Sequence, residues 1–206
     1  MKTKLVLTVI LTSFLFLTGC SSNDDNAEES GLASKGSTLS KTAGSKGSSA
    51  TNQTYPQAQA EVLEAFGAIA TSITKGAGYG DDGEYMDQLI SFHAYGDKFV
   101  EFNNGLVYDS GGNEQNERQF FGEDLVEGGV KYFNAAPETL KVAVYYGNVA
   151  NLTFVSDFIL MPKVGEEMRV NNLITLLFVK VKGDWKMVHE HHSPYNGDPI
   201  PYPVLP

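Results

Sequence analysis

Residues 139–193 are four long β-prone runs separated by turn signals, and that stretch constrains the fold more than any other. Runs 139–146, 149–161, 168–182 and 185–193 are rich in Val, Ile, Leu, Phe and Thr, side chains that pack well on a pleated surface. Gly147-Asn148 and Gly183-Asp184 supply tight turns. Hairpin-linked runs of this kind predict an antiparallel sheet. Pro194, Pro199, Pro201, Pro203 and Pro206 then forbid regular pairing, so residues 197–206 form a Pro-rich tail.

The segment before this sheet is mixed. In residues 57–74, Val62, Phe66, Ile69 and Ile73 recur at spacings of three and four, which predicts an amphipathic helix. Asp82-Gly83-Glu84 leads a second short helix with Met86, Leu89, Ile90 and His93 on one side. Residues 98–103 alternate as a strand, Asn103-Asn104-Gly105 is a turn, and Leu106-Val107-Tyr108 is a short return strand. Residues 114–133 predict a third helix with Phe120, Phe121, Leu125 and Val130 inward, although Gly128-Gly129 weakens it. The order gives an α+β fold: about six strands in an antiparallel sheet, with three helices from the N-terminal half on one face.

The N-terminus carries an address. Lys2 and Lys4 precede an apolar run over residues 6–17, the layout of a secretory signal peptide. Leu17-Thr18-Gly19-Cys20 resembles the bacterial lipobox. That resemblance implies removal of residues 1–19 and lipidation of Cys20, with Ser21 after it as in outer-membrane sorting. Several acyl chains on one residue anchor stably where one does not. Cys20 is the only cysteine, so its lipidation leaves no thiol for disulfide, metal or nucleophile. Residues 20–56 are Ser/Gly-rich with almost no large apolar side chains. They predict a disordered tether, on the order of 30–35 Å long by random-coil scaling. The expected location is the bacterial cell envelope, lipid-anchored at the outer membrane. The formal charge of the 206-residue chain is −10, which disfavours nucleic acid as a partner.

Gly183-x-Trp185-Lys186-x-Val188-His189-x-His191-x-Ser193, with Phe99-x-x-Phe102, Gly147-Asn148-Val149-Ala150 and Leu125-Val126-Glu127-Gly128, resembles the nuclear transport factor 2-like superfamily. Within it the likeness is to the SnoaL-like branch and the association domain of calcium/calmodulin-dependent kinase II. The resemblance covers residues 57–196. It implies a bent sheet around a conical cavity and a homodimer through the sheet. Trp185, His189, His191 and Ser193 are the structural motif.

Strict alternation along the last strand puts Trp185, Met187, His189 and His191 on one face and Lys186, Val188, Glu190 and His192 on the other. By the resemblance, Glu190 and His192 point into the cone and the Trp185 face packs outside. A carboxylate beside an imidazole in a recess is an acid/base pair able to work near neutral pH. Tyr146, Val188, Arg169 and Phe102 are the expected ligand contacts. Arg169 alternatively serves as counter-ion to Glu101 or Asp157. No metal or cofactor is expected, because His-x-His needs a third ligand from elsewhere. Three functions remain open: binding of a small, partly apolar molecule in the cone, an isomerase, cyclase or hydrolase using Glu190 and His192, or a dimerisation domain.

Overall fold

The computed structural model describes residues 54–201. The signal segment, Cys20, most of the tether and the last five residues lie outside the described residues. Helix α1 (Pro56–Gly76) opens with proline in its first turn, where no backbone N–H is missed. Its stripe of Val62, Phe66, Ile69 and Ile73 is buried. Burial of such side chains stabilises by roughly 1.5–3 kcal/mol each. Helix α2 (Glu84–Ser91) buries Met86 and Leu89. Strands β1 (Val100–Asn103) and β2 (Leu106–Tyr108) form a hairpin. Helix α3 (Ser110–Glu117) is capped by Asp109, whose carboxylate accepts from the Gly112 N–H at 2.8 Å.

The third helix is shorter than the 114–133 predicted from periodicity. It widens into a π-helical turn over Arg118–Asp124, and the chain then becomes strand β3 (Leu125–Ala135). Two glycines explain the break. Gly122 lies against the Gly80 carbonyl, where a Cβ would stand 2.4 Å from the oxygen, and Gly128 has φ +64°. Leu125-Val126-Glu127-Gly128 therefore sits on a strand.

The rest is strand: β4 (Lys141–Tyr145), β5 (Val149–Pro162), β6 (Met168–Val170), β7 (Asn172–Val181) and β8 (Asp184–Pro194). The predicted run 168–182 is split by Asn171. The curved, open sheet has eight strands, in the order β2-β1-β8-β7-β5-β3, with β4 and β6 also pairing β5. The sheet is mixed: β1 runs parallel to β8, while the other strand pairs are antiparallel. Helix α1 packs on the inner face, with the Phe66 ring edge-on to Phe154 at 4.9 Å and to Phe133 at 6.2 Å.

Strand β8 does not alternate strictly. Its register with β7 shifts between Leu177 and Phe178, so that Phe178 faces Met187 and Leu177 faces His189. Val188 is the extra residue of a β-bulge. Trp185 and Met187 before the bulge and Glu190 after it are all buried. The Trp185 indole N–H donates to Glu61 of α1 at 3.0 Å. This corrects the expectation that Trp185 packs outside the cone: the bulge puts it and Met187 on the same inner face as Glu190.

Candidate functional site

The inner face and the helices enclose a cavity of about 320 Å³. Much of its wall is apolar, formed by Phe66, Phe121, Phe133, Phe154 and Phe158 with Ile174 and Leu176. The Phe133 and Phe158 rings stack at 4.0 Å. The polar lining is His93, Asn103, Asn116, Glu117, Glu190 and His192, with His192 and Glu190 beside Ile174 and Leu176 across the β7–β8 pair. An apolar recess with a few convergent polar groups is the usual form of a small-molecule site.

Register builds the polar cluster. The parallel pairing sets Glu101 beside Glu190 and Asn103 beside His192. His93 follows the end of α2. Main-chain bonds from Ala94 N–H to the Met187 carbonyl and from Met187 N–H to the Phe92 carbonyl, both near 2.8 Å, tie that segment to β8. His93 Nε2 is 2.8 Å from Glu190 Oε1, and its Nδ1–H donates to the Leu89 carbonyl at 3.1 Å. From α3, Asn113 donates to Glu101 Oε2 at 2.8 Å and accepts from the Tyr95 hydroxyl at 2.5 Å. Asn103 donates to Glu101 Oε1 at 2.9 Å. Glu117, one helical turn after Asn113, brings a third carboxyl.

Electrostatics sort these groups. Burial works to raise the Glu190 carboxyl, but the His93 and His192 rings outweigh it and hold it below the usual range. Burial works to lower both imidazoles, and Glu190 outweighs it, so both are raised. Burial, with Glu190 and Glu101 adding repulsion, pushes Glu117 up to about 8. His192 Nε2 is 3.5 Å from Glu190 Oε2 and 3.9 Å from Glu101 Oε1; it is buried and makes no hydrogen bond among the described residues. A buried polar atom without a partner carries a cost that an incoming acceptor relieves.

Glu190 and His192 are thus brought together at the cavity, as the sequence predicts. Four other expected contacts lie elsewhere. Tyr146 is in the β4–β5 turn at φ +55° and is exposed. Phe102 is exposed on the outer face, with its ring edge-on to His189 and His191. Val188 is absorbed by the bulge. Arg169 makes a bidentate pair with Asp157 at 2.6 and 2.7 Å and also donates to the carbonyls of Ile200 and Pro201. It is the counter-ion of Asp157 rather than a ligand contact. His189 donates from Nδ1 to the Val100 carbonyl at 2.8 Å, and Ser193 lines an outer groove with Phe102 and His191. Sequence reasoning missed His93, Glu101, Asn113 and Glu117 as site residues. Only the inward side assigned to His93 and the alternation of β1 pointed toward any of them.

Comparison with known proteins agrees with this architecture. Residues 86–197 match the SnoaL-like domain family. No curated protein matches the chain. A nuclear transport factor 2-like superfamily protein from Salmonella enterica has a similar structure, with TM-score 0.51 and 18% identity over 71% of this chain and 99% of that one. A proposed calcium/calmodulin-dependent kinase II association domain from Exiguobacterium sibiricum gives TM-score 0.53 at 8% identity, covering 71% and 100%. A proposed dehydratase of the NTF2-like family from Streptomyces avermitilis gives 0.50 at 17% identity, covering 68% and 96%. At such identities the likeness speaks for the fold. With the family match spanning more than half of its residues, the chain belongs to the SnoaL-like domain family.

Proposed function

We propose that this protein holds a small, largely apolar molecule in its cavity, with a polar group of that molecule turned toward His192 and Glu117. The observation that carries the reading is one cavity lined both by a set of phenylalanines and by a few buried polar groups, among them a His192 nitrogen without a hydrogen-bond partner among the described residues. Apolar surface provides affinity and the polar groups provide orientation. Phenylbutanol is a suitable probe. Calorimetric titration gives saturable binding, and Ile174→Trp, which fills the cavity beside His192, abolishes it while the variant keeps a cooperative thermal transition. No saturable binding, or equal binding by I174W, refutes the reading.

A second reading is acid–base catalysis on the bound molecule. Glu190 lies 3.5 Å from the unpartnered nitrogen of His192, within range for a proton to pass once a substrate tightens the contact. The lipobox supports attachment at Cys20 to the bacterial cell envelope, with residues 20–56 as the spacer. Exposed Phe102, Val107 and Leu173 on the outer side of the sheet support homodimerisation there.

A further inference from the structure

The charges of the polar cluster pair two against two, with one carboxyl left over. His93 spends both ring nitrogens, on Leu89 and Glu190. His192 lies between Glu190 and Glu101, and Glu101 is further held by Asn103 and Asn113. Glu117 remains. It is only 8% exposed, lines the cavity and makes no hydrogen bond among the described residues. The neighbouring Arg118 is committed to Asp87, Glu114 and the Asp81 carbonyl. Among the described residues, no Lys or Arg lines the cavity. An anionic ligand would meet the Glu117 and Glu190 carboxyls and find no lysine or arginine, with the His192 ring to donate to it. A cation would find in Glu117 a buried carboxyl with no hydrogen bond among the described residues, in a cavity whose remaining lining is largely apolar.

We propose that the cavity selects a molecule bearing one ammonium group on an apolar body, with the ammonium seated against the Glu117 carboxylate. The proposal rests on the cavity being a ligand site, and it narrows the ligand class. In the empty site Glu117 is largely protonated at neutral pH, since burial and the Glu101 and Glu190 carboxylates raise it to about 8. His93, His192 and Tyr95 are the other titratable groups facing that carboxyl. An arriving ammonium favours the ionised carboxyl, so binding expels a proton from Glu117 to solvent.

Calorimetric titration of the full chain with phenylbutylamine, phenylbutanol and phenylbutyrate tests this. The amine is expected to bind at least about tenfold tighter than the alcohol, and the carboxylate weakest. Repeating the amine titration at pH 7 in two buffers of different ionisation enthalpy should show release of up to about one proton per amine. The alcohol should release none. In Glu117→Gln the amine-to-alcohol affinity ratio falls to about one and the proton release disappears. If the alcohol binds and the amine is no tighter, or if E117Q keeps the preference, the ammonium inference is overturned and the cavity reading stands. If none of the three binds, both fall.

Discussion

His93 Nε2 lies 2.8 Å from the Glu190 carboxylate, across 97 residues of sequence and with both side chains buried. The second ring nitrogen faces the Leu89 carbonyl, which can only accept. With His93 raised and Glu190 lowered from their ordinary values, the pair is ionic: the ring carries two protons and the carboxyl none. Removing one partner leaves a buried charge uncompensated. Glu190→Gln is expected to cost about 3–5 kcal/mol, read by urea denaturation. The double variant E190Q/H93Q should cost less than the two single losses added together. Additive losses would mean that the two residues do not interact.

The same pair fixes a pH window. The raised imidazole contributes fully below 6.5 and loses its contribution as pH rises through its folded value. The lowered carboxyl contributes fully above 4.5 and loses its contribution as pH falls through its folded value. The stability advantage of wild type over E190Q/H93Q is therefore greatest between pH 4.5 and 6.5. A thermal-unfolding series across pH checks it.

Glu117 behaves in the opposite sense to Glu190. A carboxyl raised to about 8 binds more protons folded than unfolded between pH 4.5 and 8, so stability drains as pH rises through that range. Each pK unit is about 1.4 kcal/mol, giving an effect on the order of a few kcal/mol. Glu117→Gln should raise Tm at pH 8.5 and change it little near pH 4. Equal Tm differences at both pH values would rule out a raised Glu117.

Deletion of Val188 tests the bulge. With Met187 followed directly by His189, strict alternation alone keeps Trp185, Met187 and Glu190 on one face. The deletion is therefore expected to keep a cooperative unfolding transition, with the three side chains still in the core. Loss of that transition, as from turning out large core side chains at about 3–5 kcal/mol each, would show that Val188 is not merely the extra residue of a bulge.

Arg169 and Asp157 tie strand β6 to β5 and hold the chain at Ile200 and Pro201. Arg169→Met should cost about 3 kcal/mol or more, because Asp157 is left buried without its guanidinium. Phenylbutanol affinity at a temperature where the variant is folded should hold within about twofold, since Arg169 is not among the residues lining the cavity. A large loss of affinity without a loss of stability would return Arg169 to the ligand site.

The strands and α1 are legible in the sequence because each carries its own period. The stripe from Val62 to Ile73 and the run from 149 to 161 need no partner to be recognised. What alternation cannot locate is an extra residue: nothing in Trp185-Lys186-Met187-Val188-His189 marks Val188 as the bulge, so Trp185 is assigned the wrong face. Glu190 and His192 are found because they lie after the bulge and alternate correctly between themselves. Asn113 escapes because the third helix reads as starting at Glu114 and running to 133. The break depends on Gly122 meeting Gly80, a contact between distant segments. His93 escapes as a partner of Glu190 because main-chain bonds to Met187 place it, and side-chain pattern carries no record of them.

Fluorine NMR of the protein labelled uniformly with fluorophenylalanine tests the central claim most directly. On titration with phenylbutanol, the resonances of Phe133, Phe154 and Phe158 in the cavity wall should shift and saturate together, while that of Phe102 on the outer face stays in place. Absence of any saturable shift at the cavity phenylalanines, or a response confined to Phe102, would contradict a ligand-holding interior.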